Sequence, residues 1–406
     1  MGYEEEKALE SRYLMHTFAR KPVELVRGHG MIVEDDKGRE YLDFLAGIGV
    51  ISLGHCHPKL VSALQDQTAK LMHVGNYYYI ENRGEVAELL SSLLNQGIPV
   101  AEQTPWQSFF TNSGAESNEC AIKLARLHAR RQAGNGHVPR IIVTLDGSFH
   151  GRTLATLAAT AQPAKQEAFQ PLPDGFISTE PNNIEALEEI FKRYEGDICA
   201  VMVECIQGES GVHPLSTDFL KAARRLTEDC GASLICDEIQ CGIFRCGAPF
   251  AFQRLGITPD IVTMAKGIAG GVPMGACAAR SNVAAAFAPG DHGTTFGGSC
   301  LAIAGAKAAL NTMVDEDYSG HVRQVGAYMC DKLSELPKVI EVRGLGLMIG
   351  AELAEGINAP DVVARGLEEG LLLNATGPST LRFLPPLICT EEDVDALIER
   401  LRPLLS

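Results

Sequence analysis

The sequence predicts an α/β protein with a large domain built on a mostly parallel sheet between helices and a smaller α+β domain. Between residues 107 and 280, short apolar runs alternate with helical stretches such as 115–131. The apolar runs contain few alternating polar residues, which is typical of parallel strands covered on both faces. Beyond residue 300, long helical stretches lead to short strands and a terminal helix. This order favours a three-layered α/β architecture.

The elements can be assigned in chain order. An N-terminal hairpin is predicted around the turn residues Asp36-Lys37-Gly38, and a helix is expected to begin near Pro58. The strands of the large domain are predicted in QSFFT, RIIVTL, ICAVMVE, ASLICD, DIVTMA and GACAA. We therefore divide the chain into an N-terminal segment, 1–58, that contributes to the small domain, a large domain, 59–305, and a C-terminal small domain, 306–406.

The composition is that of a soluble globular protein. Hydrophobic residues make up 46% and charged residues 21% of the 406 residues. Lys and Arg number 35 against 51 Asp and Glu, so the formal net charge is −16. Such a field repels phosphates and argues against nucleic-acid or anionic-membrane partners. With no long apolar stretch and no signal-peptide pattern, a cytoplasmic protein is expected.

Three patterns that could suggest other cofactors favour simpler interpretations. The cysteines in 236–246 are spaced C-x4-C-x4-C without a CxxC pair, which favours buried core cysteines over a zinc or iron–sulfur site. His55 and His57 fit a turn before a helix better than a metal site, and no metal is predicted. The glycines in 344–350 depart from the dinucleotide fingerprint by one position and precede no helix. They favour a strand connection over a nicotinamide enzyme.

Residues able to carry chemistry follow the predicted strands, and ligands of open α/β sheets bind at the carboxyl ends of strands. Ser113, Gly114 and Ala115 open a helix after the first of them. Small residues at a helix N-terminus leave backbone N–H groups free to bind a phosphate. A plain N-cap is equally compatible, because Ser113 and Glu116 also have the spacing of a capping box.

The loop 146–152 and the residues after the next strands add further polar groups. Phe149, His150 and Arg152 stand together between glycines, and a plain surface loop would leave the Phe149 ring in water. Glu209 follows another apolar strand. These residues are therefore candidates for the same site.

The strand-end residues together predict a pyridoxal phosphate site. Asp237 finishes an apolar strand, where a carboxylate is costly unless it meets a cation, and Lys266 follows the next strand. Lys266 would attach the cofactor through its amine, and Asp237 would keep the pyridine nitrogen protonated. Phe149 would stack on one face of the ring and Ile239 on the other, while Gln240 could reach the phenolic oxygen.

The sequence resembles the class III (ornithine/acetylornithine/4-aminobutyrate) aminotransferases of fold type I over nearly its whole length, most of all the members acting on acetylornithine. The motifs that carry the resemblance are YLDFLAGIGVISLGHCHP, FTNSGAESNECAIKLAR, SFHGRT, VECIQGESGV, ICDEIQCGIFRCG, PDIVTMAKGIAGGVPMGA, HGTTFGGSCLA and LRFLPPL. Their number and order make the resemblance specific.

The resemblance implies a homodimer whose active sites are shared between subunits. Thr295, with Thr294 beside it, would reach the phosphate from the other subunit. Arg382 would bind the α-carboxylate of glutamate, and Glu209 would pair with Arg382 when the other substrate is bound. Arg152 would bind the distal carboxylate, since a guanidinium holds a carboxylate by two hydrogen bonds. The remaining substrate contacts that the resemblance implies are Glu204 and Tyr78.

The implied reaction moves the ω-amine of N-acetyl-L-ornithine to 2-oxoglutarate. Gly49, Ile51 and Gly75 depart from the pattern usual in the arginine-pathway members, and both stretches line the substrate side in relatives. Ornithine, succinylornithine, succinyldiaminopimelate and 4-aminobutyrate therefore stay open as alternative donors. An aminomutase or decarboxylase is disfavoured by the pair of Glu209 and Arg382, and a non-catalytic binding protein by Lys266 with Asp237.

Overall fold

The computed structural model describes residues 2–406, and three main sheets organise them. The strands in chain order are β1 (Leu25–His29), β2 (Ile32–Asp35), β3 (Glu40–Asp43), β4 (Trp106–Thr111), β5 (Ile141–Leu145), β6 (Phe176–Thr179), β7 (Ile198–Val203), β8 (Ile206–Gln207), β9 (His213–Pro214), β10 (Ser233–Asp237), β11 (Ile261–Met264), β12 (Gly275–Arg280), β13 (Val339–Leu345), β14 (Met348–Leu353), β15 (Leu371–Leu372), β16 (Asn374–Ala375) and β17 (Thr380–Phe383).

The largest sheet has seven strands in the order β4-β12-β11-β10-β7-β5-β6. The pairs from β11 to β6 are parallel, and β12 is antiparallel to both of its neighbours. Every residue of β7, β10 and β11 is buried, as expected for strands covered by helices on both faces. The predicted α/β architecture and its six predicted strands are confirmed. The edge strand β6 was not predicted, because it is short and only partly buried.

Helices cover this sheet and also occur in the remainder of the chain. Their bounds are Tyr3–Tyr13, Pro58–Lys70, Arg83–Leu94, Gly114–Ala133, Leu154–Ala159, Pro163–Gln166, Ile184–Arg193, Thr217–Cys230, Ala251–Arg254, Ser281–Ala284, Cys300–Asp315, Tyr318–Ser334, Ala359–Glu368 and Glu391–Leu401, with 3-10 turns at Val100–Glu102, Glu167–Phe169, Lys266–Ala269 and Arg402–Leu405. A further short turn, Ala46–Gly49, consists of residues with positive φ.

Two smaller four-stranded sheets lie outside the large one. The strands β13-β14-β17-β16 form an antiparallel sheet, and β1-β2-β3 continue into β15, which pairs parallel to β3. N-terminal and C-terminal residues therefore share a sheet. The domain limits at 58 and 305 stay predictions.

The cysteines of 236–246 lie in the protein core, and the glycines of 344–350 lie in a hairpin. Cys236, Cys241 and Cys246 are buried among apolar side chains. Residues 2–406 contain no group of three His, Cys, Asp or Glu side chains that could hold a metal ion. The glycines in 344–350 lie in the β13–β14 hairpin, which confirms the predicted strand connection. In the same described range, no helix is both long and apolar enough to cross a membrane.

Candidate active site

A cavity of about 450 Å³ opens at the carboxyl ends of β4, β5, β7, β10 and β11. These ends meet at one edge of the sheet because the five strands run in the same direction. The predicted site residues that line the cavity are Ser113, Gly114, Ala115, Phe149, His150, Arg152, Glu204, Asp237, Ile239, Gln240 and Lys266. The structure thus brings together residues more than 150 positions apart in the sequence.

Asp237 lies at the end of β10 and is 3% exposed. Its Oδ2 accepts hydrogen bonds from Asn118 Nδ2 at 2.7 Å and from the His150 ring nitrogen Nδ1 at 2.8 Å, and its Oδ1 accepts from the Ile239 N–H. Burial alone lowers the pKa of His150, but the hydrogen bond and the charge of Asp237 outweigh it, so the pKa is raised. The network fixes the carboxylate at the floor of the cavity.

Asn118 is a site residue that the sequence reasoning missed. It lies four residues after Gly114 on the same face of the helix Gly114–Ala133 and is fully buried. Its Nδ2 also donates to the His150 carbonyl oxygen, and its Oδ1 accepts from the Thr263 hydroxyl. A buried asparagine on an apolar helix face was the available signal, because such a residue needs partners.

Lys266 begins the short turn after β11 and has a φ of 44°. Burial lowers the pKa of its amine, against the opposing charges of Asp237 and Glu209. A lowered pKa raises the fraction of neutral amine, which is the nucleophilic form. The following Gly267 admits no side chain, since a Cβ there would come within 2.3 Å of Ser52 Oγ.

The helix N-terminus at Ser113–Ala115 provides backbone donors beside Lys266. Ser113 caps the helix, and its hydroxyl accepts from the Glu116 N–H at 3.2 Å. The Glu116 carboxylate accepts from the Asn112 N–H, so the expected capping box is only half formed. A Cβ on Gly114 would lie 2.8 Å from the side chain of Ile239. The glycine therefore lets Ile239 pack directly against the start of the helix, whose first N–H groups are free to bind an anion.

Arg382, on β17, reaches the cavity region from the small sheet and is 2% exposed. Its guanidinium donates to Glu209 Oε1 at 2.5 Å, to Gln240 Oε1 at 3.1 Å and to the Asn374 side chain. Burial raises the pKa of Glu209, but the charge and hydrogen bond of Arg382 outweigh it and the pKa is lowered. Gln240 lines the cavity, and its amide also bonds this ion pair.

Glu204 lies behind the loop that carries Phe149. Its Oε2 accepts from the Phe149 N–H at 2.8 Å, and the side chain lines the cavity. Burial raises the pKa of Glu204 to about 7, and the neighbouring Asp237 carboxylate adds to the shift. In this arrangement Glu204 fixes the backbone of Phe149, and the substrate contact expected of Glu204 stays a prediction.

Two cationic side chains lie over the aromatic ring of Phe149. The guanidinium carbon of Arg152 lies 5.5 Å from the ring centroid, and Lys165 Nζ lies 6.0 Å from it. The side chain of Arg152 is exposed at the cavity, while Lys165 is half-buried. Lys165 was not singled out in the sequence, because nothing local relates it to the loop 146–152.

Five predicted site residues do not line the Lys266 cavity within one chain: Glu209 and Arg382, which are joined to it through Gln240, and Thr294, Thr295 and Tyr78. Thr294 and Thr295 line a second cavity of about 960 Å³, and Tyr78 is 65% exposed. One hydrogen bond links Thr294 to the first cavity, because its hydroxyl accepts from Asn112, which lines that cavity. Gly75, one of the departures from the family pattern, also lines the second cavity.

Comparisons with known proteins identify the family of the chain. A family model described as aminotransferase class-III matches residues 15–405. The acetylornithine aminotransferase of Methanocaldococcus jannaschii is 45% identical, over 97% of this chain and 96% of that protein. The ornithine aminotransferase of Toxoplasma gondii, in which pyridoxal phosphate partly occupies the active site, has a TM-score of 0.92 at 31% identity, covering 99% of this chain and 94% of that one. The acetylornithine aminotransferase of Elizabethkingia anophelis has a TM-score of 0.86 at 31% identity, covering 100% and 99%.

Proposed function

We propose, since the chain belongs to the class III aminotransferases, that it transfers the terminal amine of N-acetyl-L-ornithine to 2-oxoglutarate with the help of pyridoxal phosphate. The family match agrees with the resemblance that the motifs predicted. The structural neighbours agree with the predicted fold type I architecture. The products would be N-acetylglutamate semialdehyde and glutamate, a step of arginine metabolism in the cytoplasm.

The observation that carries the cofactor assignment is the position of Lys266 and the Asp237 carboxylate in one cavity with a glycine-lined helix N-terminus. The N–H groups at Ser113, Gly114 and Ala115 would hold the phosphate. Asp237, oriented by Asn118 and His150, would hold a proton on the ring nitrogen.

The side chains around the ring complete the fit. Phe149 and Ile239 offer apolar surface for its two faces, and Gln240 offers an amide for its oxygen. Bound pyridoxal phosphate supplies an electron sink that lowers the barrier to proton loss at the carbon bearing the amine. Lys266 would attach the cofactor and, when released, act as the base that moves this proton.

The donor assignment rests on the relatives and on the two arginines. Several relatives at 40–45% identity over nearly the full length are acetylornithine aminotransferases. Arg152 would bind the carboxylate remote from the reacting amine, while Glu209 occupies Arg382. When glutamate binds, its α-carboxylate would displace Glu209 and pair with Arg382. Glu204 and Tyr78 complete the proposed substrate contacts.

We include a homodimer in the proposal. Tyr77 and Tyr79 are almost fully exposed beside Thr294 and Thr295 in the second cavity, which is apolar surface that a partner would cover. In a dimer, the hydroxyls of Thr294 and Thr295 would reach the phosphate of the other subunit. Sedimentation of the purified protein would measure the assembly, and a monomer at micromolar concentration would argue against shared sites.

The test is the visible spectrum of the protein reconstituted with pyridoxal phosphate. Addition of N-acetyl-L-ornithine without an acceptor should bleach the band of the bound cofactor, and 2-oxoglutarate should restore it. Ornithine, N-succinyl-L-ornithine, N-succinyl-diaminopimelate and 4-aminobutyrate are compared at equal concentration. A stable band with N-acetyl-L-ornithine and a bleached one with another donor would assign that donor instead. A protein that never forms the band would refute the cofactor assignment.

A further inference from the structure

Lys165 and Arg152 are two cations beside the Lys266 cavity that form no ion pair with a carboxylate in the described part of the chain. Both stack on Phe149, with Lys165 Nζ at 6.0 Å and the Arg152 guanidinium at 5.5 Å from the ring centroid. Among residues 2–406, no ion pair with a carboxylate includes either side chain. Glu209, the carboxylate whose charge acts on Lys165, is itself paired with Arg382.

Lys165 is held in this position by its own segment. Its amine donates to the Gln162 side chain, whose Nε2 donates to the carbonyl oxygens of Gly147 and Ser148. Those carbonyls belong to the loop that carries Phe149. The short helix Pro163–Gln166 is therefore anchored to this loop, and Lys165 is not a freely moving surface lysine.

The environment of Lys165 disfavours the charged form of its amine. Burial lowers the pKa of its amine, and the positive charge of Arg152 lowers it further. Two like charges that share one aromatic ring repel each other, and the cation–π attraction offsets this only in part. An anion bound between them would relieve the repulsion.

We propose that Lys165 and Arg152 together bind the carboxylate of the donor and select donors whose end remote from the reacting amine is negatively charged. This inference rests on the proposed function and specifies its substrate class. In an N-acylated ω-amino acid, the acyl group removes the charge of the α-amine and leaves a net charge of −1 at that end. In free ornithine, the α-ammonium brings a positive charge to the same place.

The chain therefore carries a charge-based reason to prefer acylated donors. A single cation such as Arg152 would tolerate the zwitterionic end of ornithine, because carboxylate attraction and ammonium repulsion nearly cancel. Adding Lys165 increases the attraction for the acylated donor and the repulsion of the free ammonium together. The effect requires no contact with the acyl group, so it applies to acetyl and succinyl donors alike.

The experiment compares wild type with Lys165→Met and Lys165→Arg. The donors are N-acetyl-L-ornithine, L-ornithine and N-acetylputrescine, which is N-acetylornithine without its carboxylate. Bleaching of the cofactor band in single turnovers gives kcat/KM for each donor. Lys192→Met is the matched control, since Lys192 is exposed on the helix Ile184–Arg193 away from the cavity.

For Lys165→Met we expect the preference for N-acetyl-L-ornithine over each of the other two donors to fall about tenfold, mainly through KM. Lys165→Arg should retain the preference, and Lys192→Met should not change it. Calorimetric titration with N-acetyl-L-norvaline, which has no terminal amine to react, should give a Kd about tenfold weaker for Lys165→Met.

The inference would be overturned if wild type and Lys165→Met showed the same donor preference and the same Kd for N-acetyl-L-norvaline. The proposed function would then stay intact. A wild-type protein whose band bleaches with no donor would instead overturn the proposed function, and the inference with it. Loss of preference in Lys165→Arg as well as in Lys165→Met would show that shape rather than charge is recognised, which also overturns it.

Discussion

Replacing Glu204 by glutamine is expected to stabilise the cofactor-free protein at alkaline pH and to have little effect in acid. The carboxyl group is buried with the Phe149 N–H as its donor and faces the Asp237 carboxylate. Burial raises its pKa from 4.5 to about 7. Glutamine keeps a carbonyl oxygen for the same hydrogen bond and carries no charge at any pH.

The magnitude follows from linkage. The folded protein holds a proton on Glu204 that the unfolded chain loses above its ordinary pKa of 4.5. The stabilisation is therefore complete below pH 4.5 and is lost as the pH rises through about 7. At one factor of ten per 1.36 kcal/mol, the wild type loses about 3 kcal/mol over this interval, and Glu204→Gln loses none of it.

Urea unfolding of wild type and variant at about pH 5 and about pH 8 measures the difference. The advantage of Glu204→Gln should grow by about 2–3 kcal/mol between the two conditions. Glu189→Gln, on an exposed face of the helix Ile184–Arg193, is the control and should show no such growth. An advantage equal at both pH values, or one that shrinks as the pH rises, would refute the assignment of a buried, proton-holding Glu204.

Three further variants test the proposed cofactor and substrate contacts. Lys266→Ala should carry no covalently bound cofactor after borohydride reduction, as mass spectrometry will show, and its turnover should fall by about 10⁴-fold or more. Gly114→Ala places a Cβ 2.8 Å from Ile239, so equilibrium dialysis should give an affinity for pyridoxal phosphate about tenfold weaker. An unchanged affinity would contradict the proposed phosphate site at the helix N-terminus Ser113–Ala115. Glu209→Gln removes the charge that occupies Arg382, so KM should fall several-fold in the glutamate half-reaction and rise for the ω-amine donor. Parallel changes in both half-reactions would contradict the exchange of partners.

The sequence was informative where chemistry follows strand order. Asp237 and Lys266 could be paired because each ends an apolar run, and the carboxyl ends of parallel strands converge on one edge of a sheet. Ser113 and Phe149 were found by the same rule. The prediction needed only the order of the strands, which hydrophobic patterns define well.

The two residues of the candidate site that the sequence did not single out, Asn118 and Lys165, are positioned by contacts between elements distant in sequence. Asn118 acts through Asp237, and Lys165 through the ring of Phe149. A helix face shows that a polar residue is buried without showing what it meets, and a lysine in a short loop segment looks like any surface lysine. Gln240 illustrates the same limit, because its second role, the bonds to the Arg382 ion pair, depends on a strand of another sheet.

The departures at Gly49 and Ile51 have a backbone and packing reason that does not require a changed substrate. The turn Ala46–Gly49 holds four successive residues at positive φ, from 50° to 73°, a conformation that glycine adopts without strain and that costs other residues about 1–3 kcal/mol each. Asp43 offsets this cost, since its Oδ1 accepts from the N–H groups that begin the turn and its Oδ2 bonds the ring of His55. A glycine at 49 therefore suits the conformation. The Ile51 side chain packs against the loop after Lys266, since a Cβ on Gly271 would come within 3.1 Å of it. Residue 51 therefore contributes to the position of the loop after Lys266, while the neighbouring Val50 lines the cavity itself.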